Sequence, residues 1–310
     1  MSEPVVRPFR RADREQLTSL VNAHVATVVP GWALSTAALL AQIERDPGQY
    51  VTDPWVSHRL TLVAEADGRV VAAAHLRRYR GEADVGPDWR DAGEIAWLVH
   101  WPAAEAAGLR LAHACVRALE AWQARRQFAD GDLPTPATYG IPDSWPHVAR
   151  TLRAVGFAAS PGRVETTLVG TLDGVPPPGA PPSPRLTLRR AVGTFGARFQ
   201  AVADGDVIGF VEADDDHSRG GSLMRMDGWA DLAELHVTEG WRRQGVGTWL
   251  VHHLVAWLRL GGTRRFLVAV GEDELPLVGW FGRFGWHPVG ENRRGWERGA
   301  AADGPGRGGL

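Results

Sequence analysis

The chain of 310 residues has no lysine, so all 34 of its basic side chains are arginine. Alanine, glycine, arginine and proline are abundant, and a coding sequence rich in G and C accounts for the bias. Cysteine occurs 1 time, which excludes an internal disulfide. That residue, Cys115, falls in an apolar helical pattern and reads as a small buried hydrophobe. No apolar run approaches the length of a membrane span, and "MSEPVVRPFRRADREQ" at the start has no apolar signal core. A cytoplasmic protein without membrane partners is expected. The formal net charge of −2 comes with no basic stripe, so nucleic acid is not an expected partner either. Metal-ligand spacing is also missing. His252 and His253 are adjacent on a helical pattern and point to different faces. Asp214, Asp215, Asp216 and His217 form an acidic loop read as solvated, with attraction of a cationic amine as the sharper alternative.

What the chain does have is an internal repeat. With 44% hydrophobic residues it can build two cores. "VAEADGRVVAAA" and "QAVADGDVIGFV" both read as strand, Asp-Gly turn, strand. Gly68 and Gly205 stand 137 positions apart, as do Ile95 and Leu232 in the next alternating strand, and Gly108 and Gly245 at the head of a long helix. Each half closes on a short helix, ending at Phe157 or Trp286. The first copy alone carries two amphipathic helical patterns, "ADREQLTSLVNAHVATV" and "ALSTAALLAQIERD". Between the copies lies Thr171 to Pro184, rich in proline and glycine and read as a stiff linker. The expected organisation is a degenerate domain at 1–170, a linker at 171–184, a second domain at 185–298 and a disordered tail at 299–310.

The informative stretch is "WRRQGVGTWL". Arg242, Arg243, Gln244, Gly245, Val246 and Gly247 precede a helix with the apolar face Val246, Leu250, Val251, Leu254, Val255 and Leu258. The first amides of a helix lack intrahelical acceptors, and the helix dipole adds partial positive charge there. Glycine lets an anion approach those amides, and arginine adds charge. The turn therefore reads as a diphosphate site. In the first copy, Arg242 corresponds to Glu105 and Gly247 to Arg110, which removes those properties.

In Arg242, Gly245 and Gly247 the sequence resembles the GNAT superfamily of acyl-CoA-dependent N-acyltransferases, whose signature is R/Q-x-x-G-x-G/A at such a turn. The resemblance covers about Arg185 to Arg298, and more weakly the first half. It implies an α/β (α+β) fold of two tandem domains, each a mostly antiparallel mixed sheet flanked by helices, with the N-terminal copy degenerate. It implies that amides from Arg243 to Thr248 hold the diphosphate of acetyl-CoA, and that Leu235, His236 and Val237 pair with the pantetheine arm. Acetyl transfer to a small-molecule primary amine in a ternary complex is the implied activity, by a monomer or homodimer, with no metal.

The candidate base is Glu234, which alternation places on one strand face with Leu232 and His236. His236 is the second candidate. The family's closing motif has a tyrosine near the sulfur, and here Phe281 stands in its place, which implies a cofactor-binding position for it, with Glu274 and Leu277 replacing its asparagine and alanine. Phenylalanine has no proton to give. A non-catalytic acyl-CoA sensor or partner-organising module is therefore the alternative, and a mycothiol-synthase-like acetyltransferase is a minority option.

Overall fold

A computed structural model of the chain describes residues 3–44, 54–129, 131, 133, 139–214 and 228–299. The chain forms two compact units. One takes the described residues of 1–134, 138–164 and 292–310, the other those of 165–291.

The first unit begins with strand β1 (Val5–Pro8), helix α1 (Arg14–Val25) and helix α2 (Thr36–Ile43). Ser35 starts α2 by accepting the Ala38 amide on its hydroxyl at 3.1 Å, a side-chain cap on an otherwise orphan donor. The hairpin β2 (Val56–Ala66) and β3 (Arg69–Tyr79) turns at Asp67-Gly68, both at positive φ. Strand β4 (Gly93–His100) pairs antiparallel with β3 and is buried at every position. Helix α3 (Glu105–Ala121) packs on β1 to β4, and α1 packs on β3 and β4. Then come β5 (Gln127–Phe128), β6 (Ile141–Pro142), helix α4 (Pro146–Ala154) and β7 (Phe157–Ala158).

The second unit opens with β8 (Val164–Thr171), of which Glu165 to Thr171 pair antiparallel with β13 (Arg265–Gly271). Strands β9 (Leu186–Val192), β10 (Ala197–Ala203), β11 (Asp206–Asp214) and β12 (Trp229–Val237) follow as an antiparallel run. Helix α5 (Val246–Leu260) leads to β13, which lies parallel to β12. Helix α6 (Pro276–Gly282) and β14 (His287–Arg293) complete it, and β15 (Glu297–Arg298) returns to the first unit. No helix among the described residues is long and apolar enough to cross a membrane.

The tandem α/β plan is as expected, with mixed sheets in both units, but the boundaries fall elsewhere. Each unit takes a strand from the far side of the proline-rich stretch. β8 precedes that stretch yet pairs with β13, while β15, near the end of the chain, lies between β5 and β7 in the first sheet. The stretch itself is mostly exposed but anchored at three points. Leu172 and Val175 are buried, the Arg259 guanidinium donates to both of their carbonyls, and the Trp249 indole N–H donates to the Gly179 carbonyl at 3.3 Å. Of the tail, only Gly299 lies within the described residues.

The second unit has no counterpart of α1 and α2, since β9 leads to β10 through residues 193–196 alone. Its core therefore lies on one side of the sheet. Val246, Leu250, Val251, Leu254, Val255 and Leu258 of α5 are buried against Phe199, Ala201, Val211 and Ala213. Each such side chain contributes about 1.5–3 kcal/mol by leaving water. Cys115 is buried as expected, and burial pushes its thiol up to about 12.

Candidate functional site

The turn before α5 is built by three local devices. Arg242 is extended (φ −67, ψ 154), while Arg243 (φ 60) and Gly245 (φ 84) are left-handed. Gly245 is the N-cap of α5, and glycine meets that backbone demand without strain. The Arg242 Nε donates to the Val237 carbonyl at 2.8 Å, pinning the turn to the end of β12, and the Gln244 side chain donates to the Gly240 carbonyl at 2.7 Å. The first amide of the helix to find a backbone acceptor is that of Trp249, which donates to the Gly245 carbonyl at 2.9 Å. Among the described residues, the amides from Arg243 to Thr248 have no backbone acceptor. The Val246 side chain is in the core, so only its amide faces outward. A Cβ on Gly247 would lie 3.6 Å from the Trp280 ring and 3.9 Å from Val237, both ordinary contacts. The fold does not require glycine there. Its absent side chain leaves the amides open, which suits a diphosphate at a helix N-terminus.

Beside this turn the sheet divides. β12 and β13 pair only where Trp229, Ala230 and Asp231 meet Arg265, Phe266 and Leu267. Beyond Asp231 the two strands separate, while β12 stays paired to β11 on its other edge. The edge from Leu232 to Val237 is thus unpaired toward β13 and can accept an extended amide-bearing ligand as a further strand. The register also shifts between Glu212 and Ala213, which face Glu234 and Leu232. Ala233 is a bulge residue, and a bulge reverses the alternation that follows. Leu232 therefore joins Leu235 and Val237 on the core side, whereas Asp231, Glu234 and His236 share the opposite face. The expectation that Leu232 and Glu234 share a face is corrected by this bulge.

That opposite face is acidic. Glu234 is exposed and meets Arg198 at 3.3 Å. Glu212, directly across the ladder, is fully buried and takes Arg198 Nε at 2.5 Å, with the amides of Phe195 and Gly196 on its other oxygen. Burial pushes the Glu212 carboxyl up, but these donors more than offset it and hold it below its usual range. Gly193 makes this possible, since a Cβ there would lie 2.2 Å from the Glu212 carboxyl carbon. Asp231 sits opposite Asp214 in the same ladder. Desolvation first, and the Asp214 charge second, raise the Asp231 carboxyl to about 7. A carboxyl that exchanges its proton near neutrality, at the point where β12 and β13 part, is a strong candidate acid–base group. Sequence reading passed over Asp231, although the pairing of two aspartates where the first copy has Arg77 and Glu94 was legible at the 137-residue offset.

The remaining expected residues divide. His236 is exposed, its ring 5.9 Å from that of Phe210. Phe281 is 1% exposed and packs between Trp280 and Trp286 in the core, at 4.8 and 5.5 Å between ring centroids. It offers no surface to a ligand, and the expectation that it binds the cofactor is corrected accordingly. Trp280 reaches toward Gly247 instead. Asp215, Asp216 and His217 lie outside the described residues. Among the described residues no group of three or more metal-ligating side chains is disposed to hold an ion.

In the first copy the corresponding turn does not exist. Glu105 to Gly108 are wound into α3, so the helix starts at the position equivalent to Arg242 rather than to Val246. Glu105 faces Arg150 at 3.2 Å, and Arg110 is ion-paired with Glu3. A Cβ on Gly108 would lie 2.4 Å from the His100 ring, so this glycine serves close packing.

Comparison with known proteins agrees with this geometry. Residues 165–286 match the model of the acetyltransferase (GNAT) family, a span that starts where the second unit starts. A stretch of 72 residues is 29% identical to the uncharacterized N-acetyltransferase YobR of Bacillus subtilis (strain 168), covering 23% of this chain and 29% of that relative's length. A tandem GNAT protein from the clavulanic acid biosynthesis pathway, solved without AcCoA, matches with a TM-score of 0.67 at 16% identity over 97% of this chain and 100% of that one. A GCN5-related N-acetyltransferase from Sphaerobacter thermophilus matches with a TM-score of 0.63 at 16% identity over 95% of each chain. The fold is that of two tandem α/β units, with the family match confined to the second. Residues 165–286 therefore resemble the acetyltransferase (GNAT) family, and the chain as a whole shares its fold with a tandem GNAT structure.

Proposed function

We propose that the second unit transfers an acetyl group from acetyl-CoA to a primary amine of a small molecule, by direct attack in a ternary complex. The observation that carries this reading is the row of open amides from Arg243 to Thr248, continuous with the unpaired edge of β12. The amides hold the diphosphate, with Arg243 supplying charge nearby. Leu235, His236 and Val237 pair through their backbone with the pantetheine arm, which directs the thioester toward the point where the strands separate. Asp231 in its ionised form takes a proton from the incoming ammonium, and the neutral amine attacks the thioester carbon. The N–C bond forms and the C–S bond breaks, the nitrogen releases its second proton to solvent, and the thiolate takes one from solvent. Unpaired N–H groups on β12 are the donors available to the carbonyl oxygen as negative charge develops. Glu234, tethered to Arg198 on the same face, attracts the ammonium group of the acceptor. The chain acts in the cytoplasm as a monomer or homodimer, with no metal.

One observation favours a second reading. Phe281 is buried and has no proton to donate, as in a unit that binds acyl-CoA without turning it over. Release of thiol from acetyl-CoA with a panel of amines separates the two. The rate constant kcat/KM rises with pH through about 7 as Asp231 loses its proton. Asp231→Asn lowers turnover about 10²–10⁴-fold and flattens that profile, with little change in acetyl-CoA affinity. Glu234→Gln raises KM for the amine more than it lowers kcat. An Asp231→Asn variant within twofold of the parent removes Asp231 as the base, and tight binding without turnover in the parent establishes the sensor.

A further inference from the structure

Three histidines of the first unit converge from three elements. His24 comes from the last turn of α1, His100 from the end of β4 and His147 from the first turn of α4. All are buried, and the His147 ring stands 5.3 Å from that of His24 and 4.8 Å from that of His100 between centroids. A Cβ on Gly108 would lie 2.4 Å from the His100 ring, so α3 hems that ring in.

The hydrogens on these rings follow from their partners. A carbonyl only accepts, so His24 Nδ1 donates to the Leu20 carbonyl at 2.8 Å and His100 Nδ1 donates to the Trp101 carbonyl at 2.9 Å. In the neutral rings His100 Nε2 then accepts from the Thr151 hydroxyl at 3.0 Å, and His24 Nε2 accepts from His147 Nε2 at 3.1 Å. The His100 carbonyl oxygen also lies 3.1 Å from His24 Nε2. It accepts from that nitrogen only when His24 is an imidazolium.

One proton therefore fits. It enters at His147 Nδ1, the Nε2 hydrogen of His147 passes to His24, and His24 then donates from both ring nitrogens. The cation rests at the C-terminal end of α1, where the helix dipole favours it. A second proton does not fit. On His147 it sets two N–H groups head to head across 3.1 Å, and on His100 it makes a second imidazolium in the same buried cluster. His147 lies in the first turn of α4, and His100 packs on the first turn of α3, so both helix dipoles oppose it. The charges facing the cluster are Glu105 of α3 and Arg150 of α4, held to each other at 3.2 Å, and Arg150 works against protonation of both His100 and His147. Burial first, and the other two imidazoles next, push His147 down to about 4, and burial pulls His24 and His100 below the usual histidine range.

We propose that these histidines form a proton-operated latch on the first unit, closed with at most one proton among them and opened by uptake of more, which frees α4 from α1 and from the end of β4. The open form binds protons below the ordinary histidine value of about 6.5, and the closed form takes them only at lower pH. The closed form is therefore lost as pH falls through that window.

Hydrogen exchange of the full chain, resolved by peptide mass spectrometry from about pH 7.5 to 5 and corrected for the intrinsic rate, tests the latch. Each proton taken up on opening lowers protection about tenfold per pH unit. Around pH 5.5, α4 should lose protection about a hundredfold or more per unit. Strand β3, whose buried His75 takes a proton only when the sheet itself comes apart, should keep its protection there. His147→Gln keeps a donor toward His24 and takes no proton, so its slope should be about tenfold per unit shallower. His24→Gln should also be shallower than the parent. A change in α4 of about tenfold or less per unit in the parent overturns the proposal, as does a slope unaltered in both variants. Loss of protection in β3 in step with α4 overturns it equally, because that is unfolding of the whole unit.

Discussion

The two copies share a strand frame. Each has the Asp-Gly hairpin turn, and each has a bulge in the strand that follows, at Ala96 in one and Ala233 in the other. What differs is the chemistry laid on that frame. Where the first copy winds Glu105 to Gly108 into its helix, the second holds Arg242 to Gly245 in an open turn and starts its helix later. Where the first pairs Arg77 with Glu94, the second sets Asp214 against Asp231. The first covers this face with α1 and buries β4 throughout, while the second leaves Glu234 and His236 exposed. A binding turn is thus lost by extending a helix by one turn, with no change in strand order.

The largest effect that bears on this contrast is expected from Gly247→Asp. A carboxylate at the helix N-terminus suits the dipole and keeps the fold, yet it repels a diphosphate, and acetyl-CoA affinity measured by calorimetry should fall about 100-fold or more. Gly108→Ala should do the reverse. Its Cβ collides with the buried His100 ring, at a cost of about 1–3 kcal/mol in denaturant unfolding, with acetyl-CoA affinity unchanged in the folded protein. Equal losses of affinity from the two changes would erase the asymmetry. The smallest effect is on stability at Asp231. Its folded value of about 7 lies above that of an unfolded aspartate, so the native state holds the proton more tightly. Stability is lost as pH rises between the two values, and the loss is complete above about 7. Asp231→Asn escapes this, so its melting temperature should exceed the parent's by on the order of a few degrees at pH 8 and match it near pH 4.

Much of this was legible in the sequence, because the features concerned are local. Asp67-Gly68 and Asp204-Gly205 announce hairpins, the apolar face of α5 announces a helix packed on a sheet, and the glycines after Arg242 announce an anion turn. What escaped depends on partners distant in the chain. Inserting Ala233 reverses the strand's faces without any compositional mark, so Leu232 was assigned to the wrong side. Asp231 is significant because Asp214 stands opposite it. Phe281 aligns with the family's tyrosine in sequence, but Trp280 and Trp286 enclose it in the core. The capture of β8 by β13 and of β15 by β5 and β7 is a long-range pairing that no local pattern specifies.

The central claim is that a diphosphate is gripped by the amides from Arg243 to Thr248 and by no equivalent turn upstream. A crystal structure of the chain with acetyl-CoA, read together with calorimetric stoichiometry, tests it most directly. One molecule per chain, its diphosphate on those amides and its pantetheine along the free edge of β12, is the predicted result. A second molecule at the start of α3, or binding there alone, would contradict it.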